Sequence, residues 1–136
     1  MKTTTYPSGL RYLFVLGVIG SFLTGFPAVF FPSVVVALTG LSPEAVPAMQ
    51  QSGALALGSF AAGLFCLRTS NWSDVRITVV ASFVTFLLTT IGAFYYVVLQ
   101  RVATPGLILI LVIGIVMTLG FAYYLWQYMQ RGEVMA

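Results

Sequence analysis

Histidine is absent from this chain, cysteine occurs once, and Asp and Glu together number three in 136 residues. Without histidine the commonest haem and zinc ligand and the usual near-neutral proton carrier are missing, so no haem or metal centre is expected. Cys66 alone permits neither an internal disulfide nor CxxC redox chemistry, and within its apolar run it reads as buried filler. The six Lys and Arg residues are scattered, which excludes the clustered basic surface that nucleic-acid binding requires. No Ser/His/Asp or Cys/His set can be assembled. No phosphate-cradling glycine loop is present, and no apolar run holds the paired carboxylates of a proton-coupled transporter. The chain is read as a non-enzyme.

What is abundant is oil. Hydrophobic residues make up 60% of the chain against 7% charged, and the mean hydropathy is +1.02. Soluble domains are about a quarter charged, and a chain this short cannot hide so much apolar surface in one aqueous core. The expectation is a single transmembrane domain over residues 1–136, with a lipid bilayer as its solvent. A membrane-crossing helix needs about 20 mostly apolar residues. Four runs meet or approach that length, at about 12–31, 47–67, 77–99 and 106–128. The fold class is therefore all-α, an integral membrane four-helix bundle.

Local signals set the borders. Ser42-Pro43-Glu44 reads as a helix start, with a start just before Pro47 as the alternative. Thr104 followed by Pro105 opens the fourth span, and residues 71–74 offer a capping cluster ahead of the third. Pro27 is expected to kink the first span near its outer end. Between spans one and two, "PSVVVALTGL" is too short to cross and too apolar to float, so it reads as a helical turn or two in the interface. Lys2 and Arg11 before an apolar core would also suit a signal peptide; we read the segment as a retained span. Lys2, Arg11, Arg68, Arg76 and Arg131 fall on one side and Arg101 on the other. Five against one puts both termini in the cytoplasm.

The third span, "ITVVASFVTFLLTTIGAFYY", carries Thr78, Ser82, Thr85 and Thr89 on one helical stripe, continued by Gly92 and Tyr96. Hydroxyls tolerate hydrocarbon by bonding a carbonyl one turn back, and they let helices approach. A conduction path would ordinarily add charges or broken helices, so the stripe is read as helix packing before pore. In the second span Ala54, Gly58 and Ala62 recur at steps of four, with Ser59 and Gly63 alongside, which is a small-xxx-small contact face. Gly17, Gly20 and Gly25 in the first span and Gly114, Thr118 and Gly120 in the fourth offer further close approach. Gln50 and Gln51 are weak cofactor-binding candidates, for a pigment magnesium or a quinone; such glutamines also cap helices or face headgroups.

A first span closing on Phe-Pro, then "VVVALTGLS", a polar residue, the glycine-rich "GALALGSFAAGLF" and a basic loop resemble the small four-span bacterial membrane proteins described as DoxX-like. The resemblance implies a fold more than an activity, although some such proteins resemble subunits of quinone-linked oxidoreductases. Where they often carry an arginine at the start of the second span, this chain reads Gln50-Gln51-Ser52. Two readings of function follow. One is an accessory or structural subunit packing on larger membrane partners or on itself, in a respiratory or photosynthetic assembly. The alternative is a binding protein or carrier for a lipophilic molecule such as a quinone, carotenoid or lipid. A passive channel is a third.

Overall fold

The computed structural model describes residues 6–101 and 104–130, so Lys2 and Arg131 of the orientation argument lie outside the described residues. Five α-helices follow in order: α1 (Ser8–Phe30), α2 (Pro32–Thr39), α3 (Val46–Arg68), α4 (Trp72–Phe94) and α5 (Pro105–Gln130). No strand occurs among the described residues. By length and composition, three segments among the described residues are apolar enough to cross a membrane: Ser8–Phe30, Trp72–Leu99 and Pro105–Gln130. At 1.5 Å per residue the last two are about 40 Å long, longer than the ~30 Å hydrocarbon layer. That excess explains why they outrun the apolar windows 77–99 and 106–128 at their ends. A window in sequence finds the oily part, whereas the helix continues through the headgroup zone.

The helix ends follow their residues. Thr104 Oγ1 accepts the Leu107 N–H at 3.3 Å and the Thr104 carbonyl accepts that of Ile108 at 3.0 Å, with Pro105 opening the helix. At α3 the later of the two starts is the real one. Pro43–Ala45 forms a single 3-10 turn, Ser42 makes no side-chain cap, and the α-helix begins at Val46. Asn71 caps α4 by position, with its amide on the Asp74 carboxylate at 3.4 Å and the Ser73 hydroxyl on the same carboxylate at 3.1 Å. Asp74 in the first turn also suits the positive end of the helix dipole. Pro27 sits inside α1, and the helix ends before Phe31 (φ −134°, ψ 48°), the residue that precedes Pro32. The end of α4 widens into a π-turn over Tyr95–Leu99, where the Gln100 N–H reaches back five residues to the Tyr95 carbonyl at 3.1 Å.

The chain divides into two compact units. The first joins residues 6–13 to those from 71 onward, and α4 packs antiparallel on α5 within it. Trp72 stacks on Tyr128 with ring centroids 3.6 Å apart and planes 5° from parallel. Phe86 faces Phe121 at 6.0 Å. Further along, the Thr90 and Thr118 hydroxyls meet at 3.3 Å, and a methyl on Gly114 would stand 2.5 Å from Thr90 Oγ1. The buried positions Trp72, Val75, Val79 and Ala93 join Phe86 and Thr90 in steps of three, four and seven along α4. Within this unit the first turns of α1 lie on α5, with Gly9 against Tyr124 and Leu13 against Gly120.

The second unit, Phe14–Ser70, pairs α1 with α3. Gly63 lies by Val18, Gly25 by Ala56 and Leu57, and Gly53 by Ala28 and Val29. Those positions run in opposite directions along the two helices, so the pair is antiparallel. α2 packs on α3 through Val36 and closes on Gly40 in the left-handed conformation (φ 71°).

The large rings near the helix ends divide by burial. Trp72, Tyr128 and Tyr6 are buried in protein, while Trp126, Tyr123 and Tyr12 stay exposed. Trp72→Ala should therefore cost about 3 kcal/mol, the usual range for emptying a large aromatic site. Thermal unfolding in detergent should show a clear fall for Trp72→Ala and little change for Trp126→Ala. Equal effects would remove the stack as a determinant of stability.

Candidate functional site

Gln50 explains itself first. Its Nε2 donates to the Val29 carbonyl at 3.4 Å, a long bond. Val29 lies in the last turn of α1, where helix carbonyls lose their partners because the chain turns at Phe31 and Pro32 brings no N–H. A glutamine from the neighbouring helix covers one of these orphans. Gln51, one residue on, is exposed. The two glutamines do not converge. Among the described residues, no group of three or more His, Cys, Asp or Glu side chains comes together.

The contact faces lie one position away from the small-residue rows that stand out in the sequence. On α3, Gly53 and Gly63 are buried against α1, while Ala54, Gly58 and Ala62 are exposed. A methyl built on Gly58 would meet nothing within 4 Å. On Gly53 it would stand 2.7 Å from Ala28 Cβ and 2.9 Å from the Val29 nitrogen, which is backbone and cannot step aside.

The third span divides the same way. Thr78 and Ser82 are half-buried, whereas Thr85 and Thr89 are exposed, and a methyl on Gly92 would meet nothing. Thr89 satisfies itself on the Thr85 carbonyl at 2.8 Å. The hydroxyl that bridges helices is Thr90, which bonds the Phe86 carbonyl at 2.7 Å and pairs with Thr118. In the sequence Thr89 and Thr90 are adjacent hydroxyls about 100° apart around the axis. Only the partner helix distinguishes them. Gly114, Thr118 and Gly120 of α5, by contrast, do sit where close approach occurs.

What remains exposed on α3 is a row of Gln51, Ala54, Gly58 and Ala62, flanked by Leu55 and Phe65 and opposite the side that meets α1. It is a shallow trough in a helix that is itself the least apolar of the four long ones. Elsewhere in the same unit, Val18, Ile19, Phe22, Leu23 and Phe60 border an open groove of about 260 Å³ that presents no polar atom. Comparison with protein-family models, with curated proteins and with solved structures finds no match for this chain.

Two substitution pairs check these assignments. Gly53→Ala should lower the yield and thermal stability of the folded protein, and Gly58→Ala should not. Thr90→Leu should likewise destabilise, because its extra bulk meets Gly114, whereas Thr85→Leu with Thr89→Leu should leave unfolding unchanged. Destabilisation by the Thr85/Thr89 pair and not by Thr90 would reverse the reading of α4.

Proposed function

We propose that the chain is a non-catalytic accessory subunit of a bacterial inner-membrane assembly, docking on a larger membrane partner or on itself through the outer face of α3. The observation that carries this reading is the exposure of Ala54, Gly58 and Ala62 on the long helix least suited to lipid. In a bilayer, small residues against acyl chains bring no advantage, whereas against another helix they permit close backbone approach. The exposed Thr85, Thr89 and Gly92 of α4 offer a second face of similar character. A respiratory or photosynthetic complex is the setting in which such small helical subunits would serve.

The same reading makes α3 the fourth span of a four-helix protein with both termini in the cytoplasm. Support comes from its 23 residues, equal to α1, and from its antiparallel register on α1 between Val18 and Ala28. A helix that lies along a membrane-crossing neighbour over ten residues, about 15 Å, is most simply accommodated by crossing with it. The likeness in feature order to DoxX-like proteins agrees with four spans, and the Lys and Arg balance supports the orientation.

The carrier reading has one observation in its favour, the wholly apolar groove beside Phe22 and Phe60. Its volume is below the usual 300–1,000 Å³ of small-molecule sites, and it supplies no group to orient a headgroup. It suits a single hydrocarbon chain.

Mild-detergent extraction from native membrane, followed by mass spectrometry of proteins and small molecules, separates the two. Wild type should carry protein partners, or a second copy, in fixed ratio, and Gly58→Leu with Ala62→Leu should lose them while remaining folded. Partner retention in that variant would overturn the role of α3. A solitary particle holding a stoichiometric quinone, carotenoid or lipid would replace the subunit reading with the carrier.

A further inference from the structure

We propose that α2 is a wedge in the bilayer, with its Phe31, Val34 and Leu38 side set among the acyl chains just beneath the headgroups. The inference uses the membrane placement of α1 and α3 but not the partner assigned to α3, so the two stand or fall separately.

Position comes first. The α1–α3 register brings Ala28 opposite Gly53, so the end of α1 and the start of α3 lie at a common level. Everything between Phe31 and Ala45 must remain near that level, because an eight-residue helix is only about 12 Å long and the hydrocarbon layer is ~30 Å thick. The face comes second. Val36, 3% exposed, points into the unit, while Leu38 is 82% exposed and Phe31 and Val34 are each 56% exposed. Val34 and Leu38, four apart on α2, share one side nearly opposite Val36, and Phe31 precedes them at the helix start. No charged residue occurs anywhere between Arg11 and Glu44.

The backbone supplies an independent argument. Near hydrocarbon an unsatisfied carbonyl or N–H is costly, whereas a loop in water needs no such provision. In α2 the carbonyls of Val35, Val36 and Ala37 are taken. Thr39 Oγ1 donates to Val35 at 2.8 Å and to Val36 at 3.1 Å, Gly40 N–H to Ala37 at 3.3 Å, and Leu41 N–H to Val36 at 3.1 Å. At the other end Pro32 has no N–H to satisfy, and the N–H groups of Val34 and Val35 both reach the Phe31 carbonyl. Several of the terminal backbone groups are thus satisfied within the segment, while its side chains are open and oily.

Continuity identifies the occupant as lipid. Phe22, Phe26 and Phe30 form a ladder along the exposed flank of α1, with ring centroids 5.5 Å and 4.7 Å apart, and Phe26 also reaches Phe31 at 6.5 Å. The α2 face extends the surface that a membrane-crossing α1 already presents to acyl chains.

The test attaches an NBD fluorophore to Leu38→Cys in the full chain, reconstituted at high dilution in phosphatidylcholine–phosphatidylglycerol vesicles. Val34→Cys serves as the second reporter should the first fail to fold, and Glu44→Cys as the reference in water. Native Cys66 is buried and stays in place, with the unsubstituted chain as labelling blank. Blue-shifted emission is expected, quenched more by lipids with doxyl near the carbonyl end than near the methyl end. Quenching by aqueous iodide should be several-fold weaker than at Glu44→Cys. Iodide quenching equal to that reference would place α2 in water and overturn the proposal. Blue-shifted emission insensitive to doxyl lipid would also overturn it, by showing that protein covers the face. Stronger quenching from the methyl end would refute the shallow depth.

Discussion

The crossing of α1 and α3 at Gly25 and Gly53 is the constraint from which the second unit follows. A Cβ on Gly25 would stand 3.0 Å from the Gly53 carbonyl and the Leu57 nitrogen, so the two backbones meet without side chains between them. In lipid there is no hydrophobic gain from bringing two oily helices together, so close backbone packing must supply the attraction. Once that register is set, Gln50 stands beside the Val29 carbonyl and covers part of the α1 end. The same register turns Ala54, Gly58 and Ala62 outward and leaves α2 at the level where α1 stops.

The first unit reaches a similar result with different chemistry. Its α4–α5 contact runs from an aromatic stack at Trp72 and Tyr128 to a hydroxyl pair at Thr90 and Thr118. Large rings pack at one end of the contact, and Gly114 leaves room for Thr90 toward the other. An interhelical hydroxyl pair contributes of order 0.6 kcal/mol in membranes. Its value here is largely geometric, because Thr90 is satisfied by the Phe86 carbonyl and needs no second partner. The ring stack therefore bears more of the stability than the polar contact.

Much of the candidate site was visible in sequence as a class and not as positions. The small residues of α3 and the hydroxyls of α4 both signalled helix contact, and both helices do make such contacts. Yet α3 is small nearly all round, with Ser52, Gly53, Ala54, Ala56, Gly58, Ser59, Ala61, Ala62 and Gly63 in one stretch. Period alone cannot choose among faces that all qualify. Thr89 and Thr90 pose the same ambiguity, since either continues a helical row. The glutamine cap was one of the uses open to Gln50, but its partner lies 21 residues away on another helix.

Local chemistry was enough for the helical class, for apolar runs at about 12–31, 77–99 and 106–128, and for the breaks at Pro32 and Pro105. These follow from composition and from what each residue can do locally, because backbone groups in oil have to be satisfied within the helix. Packing against neighbours set which small face of α3 is inside, stacked Trp72 on Tyr128, and turned Val36 in while Leu38 faces out. Those are choices of rotation and register between helices, and they depend on the shape of a neighbour that no local pattern contains.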